Sequence, residues 1–169
     1  MKLKLACVSL LGVLFLNCSS DDNGATCASD YTGELKEEET LLQGAWALTA
    51  VESSVAIDLT DDEEDNPLED IFAQSSDCLN DAAYNFNADR SFTFKQGLTA
   101  TDCDQKSDIA GTWQLVGNVL SFSSVCTIFS SQIELNDDDT NFTITSRTNL
   151  RDVNNKIVEA EVTYTYTKN

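Results

Sequence analysis

The residue types that could carry chemistry are unevenly represented: 29 Asp and Glu, six Cys and no His. Without histidine there is no Ser-His-Asp triad, no Cys-His pair and no His-ligated zinc. No Ser-x-x-Lys pattern occurs, so the serines lack an evident base. Glycoside hydrolysis needs two carboxylates facing each other across a cleft. Glu52 is the strongest candidate, because it shares strand parity with Trp46 and Leu48, but no partner acid can be assigned to it. Residues 58–70 hold eight acids (Asp58, Asp61, Asp62, Glu63, Glu64, Asp65, Glu69, Asp70) and no base. Hard oxygen ligands suit calcium. The EF-hand template fails, however: no Gly follows Asp65, and Phe72 stands where a count from Asp61 requires Glu. The run reads as a solvated loop that repels itself open, and Asp137-Asp138-Asp139 reads first as a hairpin turn. The expectation is no catalytic residue, no metal and no cofactor.

The elements that must carry any site are strands. The chain is 169 residues long, 41% apolar and 23% charged, enough for one domain with a real core. A short helix is expected over 34–42, with its acids early in the run. From residue 44 the period is two. Strands are expected at 44–54, 83–87, 91–96, 111–116, 119–124, 127–135, 140–148 and 156–168, with turn signals at 87–90, 117–118 and 136–139. The inward positions are Trp46, Leu48, Tyr84, Phe86, Phe92, Phe94, Trp113, Leu115, Leu120, Phe122, Phe142, Ile144 and Tyr164. Eight antiparallel strands that must hide both edges close into an up-and-down barrel, with an open sandwich as the competing solution. Such a barrel is either filled by side chains or just wide enough for one small ligand.

The first residues carry an address. Lys2 and Lys4 precede an apolar run of about a dozen residues, the length of a signal-peptide core and too short to span a bilayer. Phe15-Leu16-Asn17-Cys18 resembles a bacterial lipobox, in which the cysteine becomes the first mature residue and carries the lipid. Ser19-Ser20-Asp21-Asp22 is similar to the surface-export signal of lipoproteins in Bacteroidota-type bacteria. The expected organisation is a signal peptide at 1–17, an acidic tether at 18–33 and a barrel domain at 34–169. The expected location is the outer membrane, lipid-anchored at Cys18, with the cell surface as the favoured face and the periplasm as the alternative. Loss of 1–17 removes two lysines and no acid, taking the formal net charge from −19 to −21. That charge argues against nucleic acid and anionic membrane surfaces as partners. No protein partner can be named.

Cys27, Cys78, Cys103 and Cys126 remain after Cys7 is lost and Cys18 is acylated. Their spacings of 51, 25 and 23 residues do not suit a zinc site, and four cysteines in an exported domain read as two disulfides. A hairpin folded at Ala88-Asp89 brings Cys78, before its first strand, near Cys103, after its second. Cys27–Cys126 follows by elimination and would staple the tether to the barrel.

The ordered set Gly44-x-Trp46-x-Leu48, Cys78, Tyr84-x-Phe86-x-Ala88-Asp89, Phe92-x-Phe94, Cys103 and Gly111-Thr112-Trp113-x-Leu115-x-Gly117-Asn118-x-Leu120 resembles the lipocalin-like lipoproteins of Bacteroidota. The resemblance covers roughly residues 40–168 and implies a calycin-like barrel on a lipidated tether, with no catalytic residues. Two departures stand out: Arg90 occupies a hairpin position where Gly is usual, and the 58–70 insertion is unusually acidic. The function expected is binding of a small apolar or amphipathic ligand, with Trp46, Glu52 and Trp113 as candidate lining residues, although a Trp at strand spacing is more often core. The other expectation is a filled barrel that interacts through its acidic loops. Either way the mouth beside 58–70, which can arch over one opening, is the expected functional end.

Overall fold

The structure, a computed structural model, describes residues 27–169. The signal peptide, Cys18 and the tether up to residue 26 lie outside the described residues. Eight antiparallel strands close into an up-and-down barrel: β1 (Gly44–Ile57), β3 (Ala83–Phe86), β4 (Ser91–Gln96), β5 (Ser107–Val116), β6 (Val119–Ser124), β7 (Thr127–Leu135), β8 (Asn141–Arg151) and β9 (Ile157–Lys168). Closure is the β9–β1 pairing, which joins the first long strand to the last. A ninth, short strand, β2 (Leu68–Asp70), was not foreseen. It pairs with the far end of β1, Glu52↔Asp70 and Ile57↔Leu68, on the edge that β3 occupies only as far as Ala47. The helix expected over 34–42 is a single turn, α1 (Glu37–Thr40), because Leu42 turns inward and is fully buried. Two more one-turn helices, α2 (Ile71–Gln74) and α3 (Asp77–Asn80), lie between β2 and β3. No helix among the described residues is long and apolar enough to cross a membrane.

One end of the barrel is filled and sealed. Trp46 and Trp113 are each 0% exposed. Trp46 meets Phe142 edge-on at 5.0 Å, and Phe86 lies 5.0 Å from Trp113. Each indole finds a backbone acceptor, Leu42 O for Trp46 (2.7 Å) and Asn87 O for Trp113 (3.2 Å), as a buried N–H requires. Beneath them α1 brings Glu39 against Arg90. Both are buried, with guanidinium nitrogens 2.7 Å from each carboxylate oxygen. Arg90 also donates to Gly33 O, Glu34 O and Trp113 O, while Glu39 accepts from Lys36 N and Leu115 N. This explains the residue found where glycine is usual. Arg90 holds φ +68°, and its side chain runs under the barrel as the plug of that end.

Both foreseen disulfides are present, Cys78–Cys103 and Cys27–Cys126. From Cys27 the chain runs along the outside of β5, where Tyr31 N donates to Thr112 Oγ1 (2.9 Å), and then passes beneath the barrel to Arg90.

Candidate functional site

The opposite end is hollow. The loops there are 58–82, 97–106, 125–126 and 152–156, since β1, β4, β6 and β8 all run from the sealed end to this one. A cavity of about 300 Å³ opens here, lined by Leu48, Val51, Ile71, Leu79, Ala82, Phe94, Leu150, Val162, Tyr164 and Tyr166, with Ser75, Asn80 and Gln96 as its polar members. A second recess of about 210 Å³ shares Phe94 and continues along Tyr84, Ile109, Phe122 and Phe129. The first sits at the small end of the range for ligand sites and is mainly apolar, as such sites are. Burial pushes the Tyr84 phenol up to about 12. Burial raises Tyr166 as well, helped by neighbouring Tyr84 and Tyr164. Both hydroxyls are therefore neutral at physiological pH. Asn80 donates through Nδ2 to Phe72 O (2.9 Å) and Ser75 O, which orients its amide and leaves Oδ1 buried without a partner.

The sequence-derived lining residues are redistributed. Trp46 and Trp113 belong to the sealed end, not to the cavity. Glu52 is exposed on the outer face, a correction with a local cause. Leu48 pairs with Tyr166 but Ala50 with Thr165, so Thr49 is an extra residue, a β-bulge. Parity flips beyond it: Val51 and Ser53 point inward and Glu52 outward, where its cross-strand neighbour is Asp70. No cleft separates the two acids. The bulge leaves its mark in Thr49 Oγ1, which bonds Thr167 Oγ1 at 2.7 Å, but nothing in the one-dimensional pattern announces it.

The acidic insertion is also placed differently. It does not arch across the mouth. It folds back through β2 as a hairpin on the outer end of β1, and the following segment, α2 and α3, carries Ile71 and Leu79 over the opening. Nor is it a loose loop. Asp58 is buried and accepts from Thr60 N, Thr60 Oγ1 and Asn66 N, while Asp62 accepts from Glu64 N and Asn66 Nδ2. Among the described residues no three His, Cys, Asp or Glu side chains gather closely enough to hold a metal ion. The lid is tied down from both sides. Asp70 caps α2 through Ala73 N, and Gln74 accepts from Leu59 N. Asp81 accepts from Gly97 N, Thr99 N and Ala100 N. Burial would raise the Asp81 carboxyl, but these N–H groups outweigh it and hold it below its ordinary value.

The barrel is thus plugged at one end by an ion pair and hollow at the other, with an apolar cavity under a short helical lid. Residues 20–169 match the family described as Domain of unknown function (DUF5004), and the chain belongs to that family. No curated protein matches it.

Proposed function

We propose that this protein is a non-enzymatic, lipocalin-like lipoprotein, anchored through Cys18 in a bacterial outer membrane and exposed at the cell surface, that holds one small apolar or amphipathic molecule in the open half of its barrel. The observation that carries the binding reading is the cavity of about 300 Å³ walled by Leu48, Val51, Phe94, Leu150 and Val162. The lipoprotein reading rests on Lys2, Lys4, the apolar run and Cys18 with its acidic follow-on. One feature bears on the ligand's polar end. The acids of 58–70 stand at this end of the barrel and disfavour an anion.

A long-chain alcohol is therefore expected to displace a neutral naphthylamine dye at least about tenfold more tightly than the fatty acid of the same length, at low salt and neutral pH. The gap narrows at high salt, where the field of the acids is screened. Both native tryptophans lie at the sealed end, so dye displacement is the better readout than their own emission. Leu150→Trp, which fills the cavity from β8, abolishes dye binding while leaving Tm within a few degrees. Equal affinity for acid and alcohol removes the charge selection. Undiminished binding to the Leu150→Trp variant removes this cavity as the site.

Cys18→Ala releases the protein from host membranes, and the mass of the native N-terminal peptide shows diacyl or triacyl modification, since one chain alone anchors only marginally. Persistence of the variant in the membrane fraction would put the anchor elsewhere.

A further inference from the structure

The barrel wall is not equally closed all round. β7 and β8 pair at three positions only, Ile133↔Ile144, Glu134↔Thr143 and Leu135↔Phe142, all near the sealed end. Above them the two strands part. Residues 127–132 of β7 bond β6 alone, and residues 145–151 of β8 bond β9 alone. Side chains that belong to the barrel interior are consequently open to solvent along this seam. Phe129 stands opposite buried Phe122 yet is 58% exposed, and Ser146 stands opposite buried Val162 yet is exposed. Phe129 also lines the second recess, so the seam leads into the hollow half.

The turn at the top of β7 is apolar where turn chemistry favours polar residues or Gly. Val125 and Cys126 both have positive φ, +46° and +63°, a two-residue turn that suits Asn-Gly. A β-branched residue is disfavoured there, and Val125 is 92% exposed besides. Ile128, half exposed, adds to the same lip. In a chain that is 23% charged, residues 109–133 contain no charged side chain. The acidic hairpin stands across the rim, on β1.

The tether leaves from this lip. Cys27 is bonded to Cys126, and Cys18 lies nine residues upstream, a reach of at most about 30 Å. We propose that Val125, Ile128 and Phe129 form a membrane-docking lip, and that the β7–β8 seam is the portal through which the cavity exchanges its ligand with the bilayer that anchors the chain. The partner is a lipid surface. The uncharged lip turns toward it and the acidic 58–70 hairpin turns away, which reconciles a net charge of −21 with close approach to a membrane. This inference rests on the lipoprotein reading above.

The test supplies the anchor chemically, so that it stands apart from acylation in the host. In the chain lacking residues 1–17, Cys18 is the one cysteine outside the two disulfides, and it is coupled to a maleimide phospholipid in phosphatidylcholine vesicles whose acyl chains are brominated. Phe129→Trp places a reporter on the lip, and Val116→Trp, at an exposed site on the sealed end, places one opposite. Emission of the lip tryptophan is expected to fall at least about twofold relative to unbrominated vesicles, and that of the Val116→Trp reporter to change little. Should Phe129→Trp fail to fold, Ile128→Trp carries the same reporter. Adding Val125→Asn, better suited to the turn, leaves Tm equal or higher and weakens the quenching, an outcome a purely structural role for Val125 would not produce. No quenching at either site, equal quenching at both, or quenching at the sealed end alone overturns the proposal. An unacylated Cys18 in the native protein, by contrast, overturns the lipoprotein reading and leaves the lip result standing.

Discussion

Arg90→Met is expected to destabilise the barrel by about 3–5 kcal/mol, because it strands a carboxylate that water does not reach. For a domain of this size that is a drop in Tm of roughly 10–15 °C. Glu39 is 0% exposed, and Arg90 supplies two of its three 2.7 Å partners, with Lys36 N the third. Arg90→Lys recovers part of the loss at most. A lysine has no planar fork, and it cannot serve Glu39, Gly33 O, Glu34 O and Trp113 O together. The double variant Arg90→Met/Glu39→Leu is less destabilised than Arg90→Met alone, since it removes the stranded charge as well. Burial by itself would raise the Glu39 carboxyl. The Arg90 guanidinium and the N–H groups of Lys36 and Leu115 outweigh it and hold the carboxyl below its ordinary value of 4.5. Its contribution is therefore complete above the unfolded-state value, near pH 4.5, and is lost as pH falls through the lower folded-state value. Urea unfolding from pH 7 down to pH 3 is expected to show this loss in the wild type and to lack that part of it in Glu39→Gln. A cost under about 1 kcal/mol for Arg90→Met would mean that the sealed end opens readily to water.

Most of the wall was legible because one rule governs it. Alternation placed Trp46, Phe86, Phe92, Trp113, Leu120, Phe122 and Phe142 inside, and all seven are buried. Turn residues located the hairpins at 87–90, 117–118 and 136–139. What escaped depends on contacts distant in sequence or on a change of rule. The bulge at Thr49 adds one residue and inverts every later assignment on β1, which is why Glu52 faces solvent and Val51 the cavity. β2 escaped because Leu68-Glu69-Asp70 has no alternation of its own and pairs only because β3 leaves the β1 edge free beyond Ala47. The Glu39–Arg90 plug joins residues 51 apart, and the one local sign of it was an arginine in a turn position suited to glycine. The mouth beside 58–70 was expected to be the functional end and is the hollow one, but which inward positions pack and which line the cavity was not legible. Tyr164 and Leu150 obey the same alternation as Phe142. Whether such positions pack or line a cavity depends on neighbours distant in sequence, here β1, β4 and the segment 71–82.

The two disulfides are expected to contribute in the reverse order of their loop lengths. Cys78–Cys103 spans 25 residues and Cys27–Cys126 spans 99. The chain-entropy relation assigns them about 3.5 and about 4.7 kcal/mol through the unfolded state. The folded state changes that ranking. Around Cys78 and Cys103 the chain is held independently, by α3 and by the Asp81 carboxylate on Gly97, Thr99 and Ala100. Cutting that bridge frees little native chain, so Cys78→Ala/Cys103→Ala is expected to lose about 3 kcal/mol. Residues 27–29 have no comparable hold. The next anchors are Asp30 and Tyr31 on Thr112. Opening Cys27–Cys126 lets these residues move in the folded protein, each regaining about 1–2 kcal/mol of backbone entropy. That offsets most of the loop term. Cys27→Ala/Cys126→Gly is expected to cost less than about 1.5 kcal/mol, helped further by a glycine at φ +63°. Urea midpoints of the two double variants, measured against the oxidised wild type, decide the order. A larger loss from the longer loop would make the strap part of the cooperative core. The expected order instead leaves Cys27–Cys126 a role that stability does not explain; under the membrane-docking proposal, that role is to set where on the rim the tether departs and so which side of the barrel faces the lipid.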